Sequence, residues 1–443
     1  MGTLHPYQLK AAQFLRERDR AALWIEMGLG KTAATLTALD DCPQPVLVIA
    51  PKKIAEEVWP DEVLKWRPDL RCEVAAGTPR ERARVIATST ADIVVIGKDN
   101  VAKAKLPPRH RFGTIVVDES AVLKSPSSQL FHAVKKISAG RRLWQLTGTP
   151  APNGMLDLWA QVYLIDGGQS LGEKVSEFKR RWFYEAAYAE VNGRKIVTSW
   201  DVRPENRPLL LDSIKGLALS MQAEDYLTMP DTFYLERLTH LGPDEQAAYT
   251  SMKKDMIAFV DILGEVSAST AAVLSSRLRQ IASGFVYPDF EDRVMGAKAA
   301  RIGTTKIQVL REMVDAASGP VMVFYQFQEE LAMIRDMFPD VHTAKTKDLS
   351  KRWNAGQIPL LAAHPKSMGY GLNLQYGGDD IIWLSRPWGL GDWQQANARL
   401  LRQGRTRPVM IHSIVADGTV DASVGDVLAG KANIQQAVLD HLK

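Results

Sequence analysis

The stretch Trp24-Ile25-Glu26-Met27-Gly28-Leu29-Gly30-Lys31-Thr32 constrains this chain more than any other, because it joins a strand to a helix through a glycine turn. Residues 21–25 just ahead are a short apolar run of strand type, and residues 33–39 just behind read as a helix of small and apolar residues. A turn of this kind lets backbone N–H groups face an anion, and the helix N-terminus adds positive dipole there. It reads as a phosphate cradle. Met27, Gly28, Leu29 and Gly30 would form its wall, Lys31 would reach the β and γ phosphates of a nucleotide, and Thr32 would hold magnesium. The strict pattern asks for glycine where Ile25 stands, so the match is to the Gly-x-Gly-Lys-Thr core, and the flanking strand and helix give it weight.

The same alternation continues downstream. Residues 46–50 (VLVIA), 92–96 and 114–117 read as buried strands, with a helical pattern over 54–66 between them, which argues for a parallel sheet covered by helices. From about 166 to 231 the pattern changes: Gly167-Gly168 punctuates it, and charge mixes with aromatics over 177–188, which reads as a helical insertion. Strand-like residues 233–239 and helices over 246–262 and 271–283 follow. A second alternating region begins near Lys306, with strands at 321–325, 360–363, 381–384 and 410–415 and helices at 329–337 and 393–401. The expected organisation is one α/β unit over 1–165, the insertion over 166–231, and a second α/β unit over 232–443.

At 443 residues the chain is too long for one ordinary core, which agrees with that division. A net charge of +4 is compatible with a nucleic-acid partner without requiring one. Cys42 and Cys72 are far apart and give neither a metal-ligand spacing nor a disulfide framework. The N-terminus lacks an apolar signal core and no stretch approaches a membrane span, so a cytoplasmic protein with no membrane partner is expected.

Two further constellations carry chemistry. Thr114-Ile115-Val116-Val117-Asp118-Glu119 is an apolar strand ending in two carboxylates, and ligands bind at the carboxyl ends of strands in open α/β sheets. Asp118 would meet the magnesium that Thr32 contacts, and Glu119 would accept a proton from, or orient, a water attacking the γ-phosphate. Taken alone, a solvated Asp-Glu turn explains the pair as well. Near the C-terminus Arg399 and Arg402 stand three apart, expected on one face of a helix, where they could grip a triphosphate from the opposite unit. Taken alone, a basic solvent-facing helix is the commoner outcome.

Taken in order, these segments resemble the Swi/Snf-type helicase-like ATPases of helicase superfamily two, and the likeness runs along nearly the whole chain. His5-Pro6-Tyr7-Gln8 resembles the family's opening glutamine motif, residues 27–32 its motif I, and Ile49-Ala50-Pro51-Lys52 with Trp59 and Trp66 its motif Ia. Asp118-Glu119-Ser120-Ala121 stands where the family has its acidic box. Leu146-Thr147-Gly148-Thr149-Pro150-Ala151-Pro152-Asn153 matches motif III, 321–327 resembles motif IV, 367–374 (SMGYGLNL) motif V, and 395–407 motif VI. Four departures stand out. Ile25 replaces a usual acidic residue and Ala121 a frequent histidine. Met368 replaces a usual glycine, and Arg405 stands where glutamine is common.

The resemblance implies two RecA-like lobes with ATP and Mg2+ in the cleft between them. The chain resembles the short stand-alone members found in bacteria and their phages. It implies an adenine contact for Gln8. Lys31, Thr32, Asp118 and Glu119 would act from lobe one, Arg399 and Arg402 from lobe two. Thr147 and Thr149 would sense the cleft, and Ser367 and Asn373 would touch a nucleic-acid backbone or brace the lobes. Double-stranded DNA would lie across both lobes, with RNA as a variant, and Lys52, Lys53, Lys98 and Lys124 are candidate phosphate contacts. The basic, aromatic run 179–184 could guide DNA, and the insertion could receive a protein partner. The implied activity is a DNA translocase hydrolysing ATP. The alternatives are a nucleotide-gated clamp with little turnover and, lower, a phosphotransferase acting on a small molecule, which gives motifs IV to VI no purpose.

Overall fold

The computed structural model describes residues 3–442 apart from 105, 107–109, 192–193, 228, 264–267, 289–297, 369–372 and 403–404. Four residues at the centre of the motif V stretch and two in the motif VI stretch therefore lie outside the described residues.

Seven parallel strands form the first sheet: β1 (Arg20–Ile25), β2 (Val46–Ala50), β3 (Cys72–Ala75), β4 (Ile93–Gly97), β5 (Thr114–Asp118), β6 (Arg142–Thr147) and β9 (Ala218–Met221), in the order β3-β4-β2-β5-β6-β1-β9. β2, β4 and β5 are buried along their whole length. Their side chains alternate between two cores: Leu47, Ile49, Val94 and Ile115 pack with Phe131 and Trp159, while Val46, Val48, Ile93 and Val116 pack with Leu15 and Trp59. Continuous apolar runs rather than alternating ones are what a sheet covered on both faces demands.

The second sheet is also all parallel, in the order β10-β17-β16-β13-β15-β14, from β10 (Thr232–Thr239), β13 (Val321–Phe324), β14 (His342–Thr343), β15 (Leu360–Ala363), β16 (Asp380–Trp383) and β17 (Val409–Ala416). A small pair, β11 (Phe285–Val286) with β12 (Ala300–Arg301), stands apart. Trp383 is fully buried against Phe324 and Trp393, each with ring centroids 4.6 Å away. The tryptophans around motifs V and VI are thus packing residues. The fold is the expected pair of RecA-like α/β lobes. Among the described residues no helix is long and apolar enough to cross a membrane.

The segment expected to be a helical insertion holds the helices Val175–Trp182 and Asn206–Ser213, and it departs from the expectation in two ways. Its centre is an antiparallel hairpin, β7 (Phe183–Val191) with β8 (Arg194–Val202), paired only with itself. The chain turns from helix to strand where Trp182 and Phe183 enter the lobe-one core, so the aromatic-charged mixture of 177–188 spans both states. Its last part, β9, is the edge strand of the first sheet beside β1, which therefore takes in sequence well past residue 165.

The Val420–His441 helix closes the molecule. Val424 and Leu428 pack on Leu390 of lobe two, while Val438, Leu439 and Leu442 join the core of lobe one. Gln222 donates to Asp440 at 2.9 Å, and Asp212 lies 2.7 Å from His441.

Candidate nucleotide site between the lobes

Because the first sheet is parallel, every loop after a strand emerges on one edge. The register places Trp24 level with Thr147, and Asp118 level with Leu146. Only β6 separates the cradle strand from the acidic strand, so the two loops stand about 10 Å apart, two strand spacings. That gap suits a phosphate chain with a cation beside it.

Gly28 and Gly30 have φ of 91° and 77°, the left-handed backbone that makes the cradle turn. A side chain at Gly30 would collide with Gln8. Gln8 Nε2 donates to the Leu29 carbonyl at 3.2 Å, and its Oε1 accepts from the His5 N–H at 2.9 Å. The amide expected to meet adenine thus ties the first helix (Pro6–Arg16) to the cradle. Lys31 Nζ donates to the Ile25 and Glu26 carbonyls at 2.8 and 3.3 Å. Burial lowers its pKa, and the negative charges of Glu119, Asp118 and Glu26 resist that.

Asp118 is 6% exposed. Its Oδ2 accepts from the Trp59 indole N–H at 2.9 Å and its Oδ1 from the Glu119 N–H at 3.0 Å. Burial raises its pKa against the Trp59 bond and the Lys31 charge. Glu119 sits at φ 56°, a strained backbone for a residue with a side chain. Burial, and then the neighbouring Asp118 charge, push its carboxyl up to about 7 against the pull of Lys31 and Arg399. A carboxylate with that value is poised to take a proton near neutral pH.

The arginines come from lobe two. The helix Leu390–Asn397 stops before them, so they do not share a helical face as expected. The chain tightens into turns there: Arg399 N–H donates to Ala396 and Leu400 N–H to Asn397. Arg402 Nε donates back to the Ala398 carbonyl at 3.2 Å, and Arg399 is 5% exposed. Both nonetheless line a cleft of about 280 Å3 with Met27, Gly28, Gly30, Lys31, Thr32, Asp118 and Glu119. Ile54, Val58, Glu62, Ala398 and Leu401 complete the wall. Arg405, by contrast, is structural: it donates to the Gly378 carbonyl at 2.8 Å and pairs with Asp379. Met368 is buried in the lobe-two core.

Thr149 lies at the lobe interface and Thr147 is buried just behind it. Thr147 Oγ1 accepts from the Thr149 N–H at 3.1 Å, and Thr149 Oγ1 faces Gly391 of lobe two. Ser120, after the acidic pair, donates to Gln161 Oε1 at 3.2 Å, and Gln161 Nε2 donates to the Pro150 carbonyl at 2.7 Å. This buried relay joins the acidic loop to motif III. Sequence reading missed Gln161, and it placed Trp59 in a motif without seeing it as the donor to Asp118. Trp59 carried a signal, a tryptophan one helix after a phosphate-edge strand; Gln161, inside an apolar helix, carried only its polarity.

Lys52 and Lys98 follow β2 and β4 on the same sheet edge, with Lys52 backbone packed against Gly97. Lys98 faces Asp99 at 3.7 Å. Lys124 acts electrostatically on Asp157 and on Lys431 of the closing helix. Ser367 and Asn373 do not line the cleft: Ser367 Oγ donates to the His364 carbonyl at 2.8 Å, and the Asn373 backbone carbonyl accepts from Asn354 at 2.9 Å.

The model of the SNF2-related domain matches residues 7–282. The chain belongs to the SNF2-related family. It is 34% identical to protein p41 of Acyrthosiphon pisum secondary endosymbiont phage 1, over 100% of this chain and 99% of that one. It is 24% identical to an uncharacterized ATP-dependent helicase of Mycoplasma pneumoniae, over 99% of this chain but 42% of that protein. The solved SWI2/SNF2 ATPase core of Sulfolobus solfataricus in complex with dsDNA aligns at TM-score 0.46 and 22% identity, over 99% of this chain and 93% of that one. The SNF2 match covers lobe one and the first strand of the lobe-two sheet, β10, while Arg399 and Arg402 lie beyond its end at residue 282.

Proposed function

We propose that this SNF2-family chain hydrolyses ATP to ADP and phosphate and uses the cycle to translocate along double-stranded DNA. One observation carries the reading: Arg399 and Arg402 line the same cleft as Lys31, Asp118 and Glu119, although some 370 residues separate the two ends of the set. In this scheme Lys31 and the cradle amides hold the β and γ phosphates, Glu119 takes a proton from the attacking water, and the arginines neutralise charge that develops on the γ-phosphoryl. Thr32 and Asp118 are oxygen donors on one cleft, which suits magnesium completed by phosphate oxygens and water. Bound there, magnesium would supply charge neutralisation. Thr149, Gln161 and the Val420–His441 helix would pass cleft closure between lobes.

The DNA half of the proposal rests on the ordered motif set and on the lysines gathered at the strand ends. Contacts through phosphates would be tolerant of sequence and sensitive to salt. The test is steady-state ATP turnover with no nucleic acid and with duplex, single-stranded, forked DNA and RNA. Stimulation by duplex DNA is expected. Purified, folded protein that no duplex stimulates would overturn the motor reading, and stimulation by RNA alone would overturn the choice of DNA.

A further inference from the structure

The β7–β8 hairpin is the part of the molecule that the motor scheme leaves unused. Its base is anchored: Phe178, Trp182, Phe183 and Val202 are all buried in the lobe-one core. Beyond the base, Tyr184 and Tyr188 are 43% and 44% exposed. They line one groove with Phe183 and Trp200, and among the described residues the same groove carries Lys179, Arg180 and Arg203 against a single carboxylate, Glu185. Lys179 Nζ lies 5.0 Å from the Trp200 ring centroid. Arg203 donates to the Arg180 and Arg181 carbonyls at 3.3 and 3.0 Å, which fixes its guanidinium at the rim.

Exposed rings held on a two-stranded ribbon, with cations beside them, match one chemistry. Base faces in a duplex are covered by their neighbours and only edges and phosphates are reachable, whereas an unpaired base offers its whole face to a ring while its phosphate meets a cation. The surplus of positive charge in the groove selects a polyanion over a neutral or basic peptide.

We propose that this hairpin is a binding site for unpaired nucleotides, distinct from the inter-lobe cleft, so that the motor engages duplex DNA next to a single-stranded segment. The proposal rests on the reading of the chain as a nucleic-acid motor. Tyr184 and Tyr188 supply stacking faces, Trp200 with Lys179 a third, and Lys179 with Arg180 the phosphate contacts.

The experiment measures anisotropy of fluorescein-labelled oligothymidylate, blunt duplex and forked duplex with the full chain, alongside duplex-stimulated ATP turnover. In Y184A/Y188A, affinity for oligothymidylate and for the fork is expected to fall about tenfold or more, the scale of losing base–ring stacking. Blunt-duplex affinity and turnover should hold. Y184F/Y188F, which keeps the rings, should bind as the parent does, and Lys179→Ala should weaken oligothymidylate binding in a salt-dependent way. Equal losses on blunt duplex, or no loss on any substrate, would overturn the hairpin assignment. So would capture of an acidic peptide at the hairpin with oligothymidylate ignored. If the parent protein binds no nucleic acid at all, the motor reading itself fails, and the blunt-duplex turnover arm reports that separately.

Discussion

Lobe one and lobe two both bring charged groups to the same cleft but hold them differently. In lobe one every group is anchored by regular structure. Asp118 ends a buried strand and is held by Trp59 and by backbone, and Lys31 opens a helix behind a left-handed glycine turn. In lobe two Arg399 and Arg402 sit in turns after a helix has ended. Lobe one therefore carries a preorganised half-site, and lobe two delivers charge on a segment whose position depends on how the lobes close. Binding should belong mainly to the first lobe and rate mainly to the second.

The sharpest way to break that contrast is Arg402→Ala. Turnover should fall on the order of 10³-fold or more, the scale of an arginine finger, with ATP affinity by fluorescence titration largely kept. Lost affinity with normal turnover per bound ATP would reverse the roles. Glu119→Gln comes next: turnover should fall on the order of 10²- to 10⁴-fold as the proton acceptor is lost, with nucleotide still bound.

Glu119 also makes a pH prediction. Its carboxyl stands at about 7, above the ordinary 4.5, so the folded chain holds this proton more tightly than the unfolded chain. The stability this contributes is fully present below pH 4.5 and is lost as pH rises through about 7. Parent turnover should climb through that value as the base ionises. Glu119→Gln should melt higher than the parent near neutrality, by a margin that widens between pH 4.5 and 7. A margin that shrinks across that window would contradict the burial argument.

Trp59→Phe probes the anchoring of lobe one. It removes the indole donor to Asp118 and should raise the magnesium needed for half-maximal turnover about tenfold, as loss of a partner behind a metal ligand does. The smallest effect is expected at the sheet edge: Lys52→Ala should lower duplex affinity modestly and reduce the slope of its salt dependence by about one.

What the sequence made legible follows the same division. Fully buried strands such as VLVIA and TIVVD announce themselves as continuous apolar runs, and the cradle and the acidic pair stand at the ends of two such strands, so their place on one sheet edge is legible directly. The arginines were legible as residues but not as geometry, because turns that replace a helix after Asn397 leave no periodic trace. The hairpin reads as helix in the sequence because its charged and aromatic residues lack clean alternation, and its register slips between Glu185 and Tyr188. β9 was missed because four residues, Ala218–Met221, are too few to show a pattern without the neighbouring β1 they complete. Gln8 and Gln161 show the remaining gap: each donates to a backbone carbonyl outside its own helix, Leu29 and Pro150, which no local pattern reveals.

The claim on which the account turns is that one chain folds its own lysine and its own arginines around a shared ATP. Mixing equal amounts of Lys31→Ala and Arg402→Ala proteins and measuring duplex-stimulated ATP turnover tests it directly. The mixture should stay as inactive as either variant alone, because neither chain can complete the other's cleft. Turnover recovering toward that of the parent would place the two half-sites on different molecules and contradict the account.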